Sequence, residues 1–382
     1  MNTRIVLWAG LGAIALAAAI GVGLIVALPT APPDTTAPVI ADDEADATLA
    51  ALKPPKRPRP LIAIIGINDA TEVTDYLLPY GILRRADVAD VVALATQPGP
   101  VTLYPALKVE PQLTVADFDA QHPEGADYVI VPAMSRDDDA AALQWIRSQA
   151  GKGAIVIGVC VGATVVANTG LLDGRRATTH WYSLDGMLDR HPTIRYVKDR
   201  RFVVDRGVAT TTGITASIPM SLTLIEAIAG RDKAEAVGRH LGVLRRDARH
   251  YSDAFKVTRP FALTVMGNRL ALWNRERLGM ELAPGVDEVS LALVADAWSR
   301  TYRSRVTTFA ASADALQTRS GLRIVPDQVA ASWPADRLLP AVGGLTPANT
   351  LDQTLRDIGE RYGKGTAGVV AMQLEYPSAA SR

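Results

Sequence analysis

The 382-residue sequence contains a single cysteine, Cys160, which excludes an intramolecular disulfide and any metal cluster built on several thiolates. It also lacks an excess of charge, because lysine plus arginine and aspartate plus glutamate each number 40. A chain without net charge has no general attraction for nucleic acid. No glycine-rich run has the spacing that holds a phosphate, and no cluster of side chains marks a metal site. We therefore expect no cofactor, no metal ion and no nucleic-acid partner.

The start of the chain is apolar. Residues 5–28 form an uncharged run of about 24 residues, long enough to span a bilayer as a helix. A cleaved signal peptide would have a shorter hydrophobic core and a small-residue cleavage site, and no convincing site follows here. We expect a single-pass membrane protein with an uncleaved anchor over residues 1–30. Arg4 on the short flank weakly places the body on the extracytoplasmic side. Residues 31–60, rich in proline and alanine, are expected to be a linker.

Between residues 61 and 245, short apolar strands alternate with helical patterns. The first strand is expected over residues 61–66, followed by a turn and by helical spacing over residues 72–85. Further strands are expected at 91–94, 101–103, 128–131 and 154–159, and a further helix at 140–149. This alternation predicts an α/β fold with a parallel sheet between layers of helices. Ligands bind such sheets beyond the carboxyl ends of the strands.

Cys160 stands where a strand leads directly into a helix. The apolar run 154–159 ends at Cys160, and residues 165–168 continue with helical character. Such a connection needs a tight turn, which projects the apical residue over the end of the sheet as a nucleophile elbow. Gly158 and Gly162 would let the backbone turn and the helix pack closely, and the helix N-terminus would favour a thiolate. The alternative is a buried core cysteine without chemistry.

Two further segments extend this pattern. Residues 170–181 (GLLDGRRATTHW) follow the elbow directly, and residues 212–218 (TGITASI) come later. Together with the elbow, they resemble the ThiJ/PfpI superfamily of class I glutamine-amidotransferase-like domains, over about residues 60–245. The resemblance extends to the amidase-like domain at the front of AraC-type transcriptional regulators. It implies a flavodoxin-like parallel sheet sandwiched by helices, in a ThiJ/PfpI-like domain over residues 61–245.

The resemblance also implies partners for the cysteine. The family takes an acid from the helix after its first strand, and Glu72 and Asp75 both qualify. Asp75 is preferred because family members commonly place the acid four residues before a proline, here Pro79. For either acid, the alternative is a helix N-terminal charge without a catalytic role. His180 would orient or deprotonate the thiol in a hydrolase, although most histidines in such a segment are structural.

The pocket departs from the family pattern at several positions. The N–H groups of Val161 and Ala133 would form the oxyanion hole, but relatives often show Gly-Gly where this chain has Ala133 and Met134. Some relatives carry histidine where this chain has Val161, and relatives often carry an acid where it has Pro219. These differences weaken a protease or glyoxalase dyad.

The second half repeats parts of the first. No helix-turn-helix pattern follows residue 245, unlike in AraC-type regulators. Instead, segments near 287–289, 306–310 and 321–326 resemble segments about 215 residues earlier. Chance likeness between short α/β segments is the alternative.

We expect a helical connector over residues 246–286 and a truncated, degenerate copy of the domain over residues 287–382. Residues 358–372 echo residues 146–160, which puts Met372 or Gln373 at the nucleophile position. Half a copy leaves its sheet incompletely covered. We therefore expect it to dock on the first domain or to form a homodimer.

Three functions remain open from the sequence. The first hypothesis is a cysteine-dependent enzyme, for which the resemblance implies hydrolase or hydratase (amidase-like) chemistry on a small molecule. The second is a non-catalytic small-molecule sensor or regulatory binding module that uses the same pocket. The third is a redox sensor that works by oxidation of Cys160. The elbow favours chemistry, whereas the altered pocket favours binding.

Overall fold

The main unit is an α/β sandwich. The computed structural model describes residues 23–31, 36–243 and 246–376. The strands of the main unit are β1 (Leu61–Gly66), β2 (Thr71–Glu72), β3 (Asp90–Ala95), β4 (Val101–Tyr104), β5 (Lys108–Glu110), β6 (Leu113–Thr114), β7 (Tyr128–Val131), β8 (Ile155–Gly158), β9 (Arg176–Ala177), β10 (Arg195–Tyr196), β11 (Phe202–Asp205) and β12 (Val208–Thr211). Seven of them form one sheet in the order β11-β12-β8-β7-β1-β3-β6. Only the β11–β12 pair is antiparallel, so the predicted parallel-dominated sheet is confirmed.

Helices cover both faces of this sheet. They are α1 (Asp42–Ala51), α2 (Val73–Ala86), α3 (Val115–Gln121), α4 (Ala140–Gly151), α5 (Gly162–Asn168), α6 (Leu184–Arg190), α7 (Ser217–Ala229) and α8 (Arg231–Leu241). Alternate side chains of β1 point into two separate cores, as the period of a strand requires. Ile62 and Ile64 pack on the side of α2 and α7, and Ala63 and Ile65 pack on the side of α3, α4 and α5. This layering is that of a flavodoxin-like fold.

A smaller α/β unit follows a connecting helix, α9 (Arg259–Leu270). It consists of β13 (Glu276–Glu281), α10 (Glu288–Ser299), β14 (Ser304–Ala310), β15 (Leu316–Gln317), β16 (Arg323–Ile324), β17 (Gln328–Val329), α11 (Pro347–Tyr362) and α12 (Lys364–Gln373). Strands β13, β14 and β17 form a parallel sheet. The hairpin β15–β16 joins the edge of β5 in the main unit. Because β13 belongs to this unit, the unit begins at residue 276, inside the predicted helical connector.

The smaller unit repeats the strand register of the main unit. Leu94 pairs with Leu113, and Phe309 pairs with Gln328, each partner lying 215 residues further along. In the same way, the antiparallel pair Val101–Val109 corresponds to Leu316–Ile324.

A side-chain hydrogen bond repeats as well. The Ala93 N–H donates to Gln112 Oε1 at 2.9 Å, and the Thr308 N–H donates to Asp327 Oδ2 at 2.9 Å. Ala70 and Asp87 adopt left-handed φ angles of 55° and 51°, and their counterparts Gly285 and Tyr302 adopt 76° and 60°.

The two units face each other through α2 and α10. Both helices are buried over most of their length and share one hydrophobic core. Arg85 contacts Asp287 at 2.8 Å, and Arg300 contacts Glu72 at 2.7 Å. Since Arg300 corresponds to Arg85 and Asp287 to Glu72, the two ion pairs are reciprocal. Reciprocal contacts of this kind are characteristic of a two-fold symmetric interface.

The end of the smaller unit departs from the expected repeat. Residues 366–371 were expected to form the strand that leads to a second elbow, but they lie within α12. Met372 and Gln373 therefore lie at the end of a helix rather than at a strand-to-helix turn. The residues that echo β7 form only an isolated parallel bridge between Leu338 and Gly279.

The structure contradicts the predicted single-pass anchor. Within residues 23–31, 36–243 and 246–376, no helix is both long and apolar enough to cross a bilayer. Residues 1–22, most of the predicted anchor, lie outside the described residues. The prediction rested on the length and hydropathy of the run, which do not specify what buries it. Directly after the run, the Pro29 carbonyl accepts a hydrogen bond from the Arg259 N–H at 2.8 Å, so the chain contacts α9 there. The membrane localisation and the membrane contact through residues 5–28 are withdrawn.

The predicted linker over residues 31–60 is partly folded against the main unit. Residues 42–51 form α1, and the side chain of Leu52 is fully buried. The Leu52 carbonyl accepts a hydrogen bond from the Tyr128 hydroxyl at 2.7 Å, and Arg57 pairs with the buried Asp127. The sequence concealed this docking because it depends on single anchoring side chains rather than on a periodic apolar face.

Candidate active site

Cys160 occupies the turn between β8 and α5, as the elbow prediction requires. Its φ of 57° lies in the left-handed region, which non-glycine residues adopt at a cost of about 1–3 kcal/mol. Its N–H donates to Thr211 Oγ1 at 3.0 Å, and its carbonyl accepts from Thr179 Oγ1 at 3.0 Å. These two hydrogen bonds hold the strained backbone from both sides.

The glycines beside Cys160 allow the close packing that the sequence predicted. A Cβ on Gly158 would lie 2.9 Å from the Cα of Ala163. A Cβ on Gly162 would lie far inside the contact distance of the Val131 carbonyl oxygen. The start of α5 therefore packs directly on the carboxyl end of β7.

Asp75 and Glu72 lie together at the N-terminus of α2. Glu72 caps the helix, because its Oε2 accepts the Asp75 N–H at 2.6 Å and the Thr74 hydroxyl at 2.8 Å. Asp75 is fully buried; its Oδ2 accepts the Ala133 N–H at 3.0 Å, and its Oδ1 has no hydrogen-bond partner among the described residues. Burial, followed by the nearby charge of Glu72, raises the pKa of Asp75 well above its ordinary value. Asp75 is thus suited to carry a proton at neutral pH.

The smaller unit contributes a cation to this acid pair. Arg300 follows α10 and contacts Glu72 Oε1 and Asp296 Oδ1, each at 2.7 Å. All three side chains are largely buried. Burial by itself lowers the pKa of Arg300, but the charges of Asp296 and Glu72 outweigh it and raise the pKa. Burial raises the pKa of Asp296 to about 7. The sequence analysis missed Arg300, although it stands 215 residues after Arg85 within the repeat.

The thiol of Cys160 is buried and surrounded by acids. Its residue is 3% exposed, and burial, followed by the charges of Asp75, Glu72 and Glu375, raises the pKa of Cys160 well above its ordinary value. The Val161 N–H acts in the opposite direction and favours the thiolate. In this closed arrangement the direction is the reverse of the one expected from the helix N-terminus alone. Removal of the nearby negative charge would therefore lower the pKa.

His180 does not point its ring nitrogens at the thiol. Nε2 lies 3.0 Å from the carbonyl oxygen of Gln373, and Nδ1 accepts the Tyr182 N–H at 3.2 Å. The first contact requires a proton on Nε2, so His180 is neutral with Nδ1 as acceptor. Burial lowers its pKa further below the ordinary histidine value. In this arrangement His180 positions the C-terminal segment.

The two predicted oxyanion donors differ in their availability. The Val161 N–H lies beside the thiol, and it is the donor that favours the thiolate. The Ala133 N–H instead donates to Asp75 Oδ2 at 3.0 Å, so it orients the acid. Within the described ranges, no three histidine, cysteine, aspartate or glutamate side chains are grouped so that they could hold a metal ion.

Sequence comparisons place the main unit among known proteins. A family profile described as the DJ-1/PfpI family matches residues 62–227. An isonitrile hydratase from Pseudomonas putida is 36% identical over 165 residues, which cover 42% of this chain and 68% of that protein. The HTH-type transcriptional regulator CdhR from Pseudomonas aeruginosa is 37% identical over 107 residues, which cover 28% of this chain and 32% of that protein. The chain thus spans about a third of the regulator that it matches.

Solved structures give lower similarity. Drosophila melanogaster DJ-1beta is 21% identical with a TM-score of 0.44, over 49% of this chain and all of that chain. An AraC family transcriptional regulator from Pseudomonas putida is 18% identical with a TM-score of 0.41, over 47% of this chain and 97% of that chain.

Proposed function

Because the chain belongs to the DJ-1/PfpI family, whose members include a hydratase and transcriptional regulators, we propose that it is a cysteine-dependent hydratase or amidase-like hydrolase. Cys160 is the nucleophile, and a small molecule with an electrophilic carbon is the substrate. The observation that carries this proposal is the strained Cys160 backbone beside Asp75, whose Oδ1 is buried without a partner. Strain and unpaired polar atoms concentrate at functional sites.

An isonitrile serves as the simplest substrate for this geometry, since the hydratase relative is named for it. The Cys160 sulfur forms a bond to the terminal carbon, and the thiol proton passes through Asp75 to that same carbon. Water then adds to the carbon, a proton moves to the nitrogen, and the carbon–sulfur bond breaks as the thiol regains its proton. The net change is the addition of one water, which gives an N-substituted formamide.

Each residue of the site has a distinct part in this scheme. Asp75 transfers the proton, because burial raises its pKa toward neutrality. The Val161 N–H stabilises negative charge at the sulfur. Glu72 and Arg300 fix the start of α2 through their ion pair, and the Ala133 N–H fixes the Asp75 carboxyl. Arg300 and Ala133 are positioning residues in this scheme.

A sensor or binding module is the second candidate, and the burial of Cys160 favours it. A thiol that is 3% exposed, with a raised pKa, is poorly accessible to a substrate in this arrangement. The regulator relative supports the same candidate. A redox sensor faces the same difficulty, because oxidation also starts from an accessible thiolate.

Turnover of a simple alkyl isonitrile separates these functions. We expect the wild type to produce the formamide, Cys160→Ser to lose at least about a thousandfold in rate, and Asp75→Asn to lose about 10²–10⁴-fold. Gly186→Ala is the matched control, because Gly186 lies in α6 and an added Cβ meets nothing within 4 Å. Absence of turnover by a folded wild type on isonitriles and simple amides, together with thermal stabilisation by a small molecule, would favour the sensor.

We also propose that the smaller unit is a degenerate second copy that serves as a built-in partner subunit. The shared strand register, the repeated hydrogen bond and the reciprocal ion pairs support a two-fold arrangement within one chain. A homodimer through α2 would need the surface that α10 covers. Intramolecular docking therefore fits these contacts better than the homodimer that the sequence left open.

Truncation tests this second proposal. Removal of residues 276–382 would uncover α2, which is buried on most of its surface. We expect the truncated protein to aggregate or to self-associate, whereas the full chain remains monomeric by light scattering. A truncated protein that stays monomeric and equally soluble would contradict the proposal.

A further inference from the structure

The C-terminal segment closes the mouth of the Cys160 site. Four consecutive carbonyl oxygens at the end of α12 and just beyond it accept hydrogen bonds from the main unit. Met372 accepts from Trp181 Nε1 at 3.1 Å, Gln373 from His180 Nε2 at 3.0 Å, Leu374 from the Thr215 N–H at 3.2 Å and Glu375 from Thr215 Oγ1 at 3.0 Å. The segment therefore binds the loops that follow β9 and β12.

Glu375 places its carboxylate inside this mouth. The residue is 4% exposed, and Oε1 accepts the Trp181 N–H at 2.9 Å. Oε2 has no hydrogen-bond partner among the described residues; the imidazole Nε2 of His250 lies 3.6 Å away. Burial by itself raises the pKa of Glu375, but His180, His250 and the N–H groups of Trp181 and Gly213 together bring it below the ordinary value.

The carboxylate also lies close enough to Cys160 for its charge to raise the pKa of the thiol. A buried pocket that holds an anion with backbone N–H groups and two imidazoles, next to a nucleophile, has the chemistry of a carboxylate-binding subsite. Because one oxygen of Glu375 stays unpaired, the fit of the chain's own side chain is incomplete. Another carboxylate can therefore compete with it.

We propose that the ligand of the Cys160 site is a small carboxylate, which binds where the Glu375 side chain lies, and that the C-terminal segment is a displaceable plug. This inference rests on the proposed function, since it assumes that a small molecule enters the Cys160 pocket. It adds the substrate class: an electrophilic carbon attached to an anionic group a few bonds away.

Gly213 offers a way to displace the plug without changing the plug itself. Its φ of −67° is open to any residue, but an added Cβ would lie 2.5 Å from Cγ of Glu375 and 2.6 Å from its Cβ. Gly213→Ala should therefore expel the Glu375 side chain. Gly186→Ala is again the matched control, and Glu375→Gln removes the charge while it keeps the shape.

Alkylation of Cys160 by iodoacetate and iodoacetamide tests the proposal, because these reagents differ mainly in charge. Rates are measured by intact mass and divided by the rates with glutathione. We expect slow reaction of the wild type and Gly186→Ala with both reagents. In Gly213→Ala, both rates should rise, and the normalised iodoacetate rate should gain about tenfold over the iodoacetamide rate, the factor expected from one charge-assisted hydrogen bond.

Acetate should slow the alkylation of Gly213→Ala by iodoacetamide. If Gly213→Ala does not fold, Glu375→Gln should show the same preference for iodoacetate to a smaller extent. An equal gain for both reagents, or rates unchanged from the wild type in a folded Gly213→Ala, overturns the inference. Isonitrile turnover without a carboxylate preference would remove this inference alone, whereas a carboxylate preference without any turnover would remove the enzyme and keep the subsite.

Discussion

Replacement of Arg300 by methionine should destabilise the protein strongly, because it leaves buried carboxylates without their counterion. Arg300 contacts Glu72 and Asp296 at 2.7 Å each, and Asp75 lies on the same helical turn as Glu72. Removal of one partner from a buried ion pair typically costs about 3–5 kcal/mol. For a domain of this size, about 2–4 °C in Tm accompanies each kcal/mol, so we expect a fall of roughly 6–20 °C.

The size of this defect should depend on pH. Burial raises the pKa of Asp296 to about 7 and that of Asp75 well above its ordinary value. Without Arg300, both pKa values rise further, so the carboxyls take up protons as the pH falls. The difference in Tm between the wild type and Arg300→Met should therefore be largest at pH 8 and should shrink toward pH 5.

Thermal unfolding followed by circular dichroism at pH 5 and pH 8 measures both effects. Arg85→Met is the matched control, since Arg85 makes the reciprocal ion pair with Asp287, whose side chain is 18% exposed. We expect a smaller loss of stability in this control and little dependence on pH. Equal losses in the two variants, or a defect of Arg300→Met that does not change with pH, would refute the reasoning.

Two further predictions concern Asp75 and Gly162. Since burial raises the pKa of Asp75 in the folded state, its contribution to stability is full below the unfolded pKa of about 3.9 and is lost as the pH rises. Asp75→Asn should therefore gain Tm relative to the wild type between pH 4 and pH 8; a constant difference over that range would argue against a raised pKa. Gly162→Ala should lower the urea midpoint by an amount that corresponds to about 1–3 kcal/mol, because its Cβ would collide with the Val131 carbonyl, whereas Gly151→Ala in α4 meets nothing within 4 Å and should not lower it. Equal midpoints for the two glycine variants would contradict the close packing at the elbow.

The sequence was sufficient to predict the main sheet and the elbow because both depend on local patterns. Buried strands such as β1 read as continuous apolar runs, and the small residues around Cys160 indicate the turn. The internal repeat was also visible, since its register survives over residues 276–329. Its last part was predicted as a strand and is helical, because short apolar segments such as residues 366–371 fit either structure.

The rest of the site could not be read from the sequence, because it is assembled by contacts over long separations. Arg300 reaches Glu72 from 228 residues away, and Glu375 reaches Trp181 from 194 residues away. Neither residue has a local motif that marks its role. His180 and Ala133 carry plausible motifs, yet their polar groups are engaged by Gln373 and Asp75 in this structure.

The pH profile of Cys160 alkylation in Arg300→Met and Arg85→Met tests most directly whether the smaller unit completes the Cys160 site. The Cys160 thiolate charge is among the interactions that raise the pKa of Arg300, so the guanidinium should in turn favour the thiolate. The account predicts that the midpoint of the iodoacetamide profile moves to higher pH in Arg300→Met and stays unchanged in Arg85→Met. An unchanged midpoint in both variants, or the same shift in both, would contradict it.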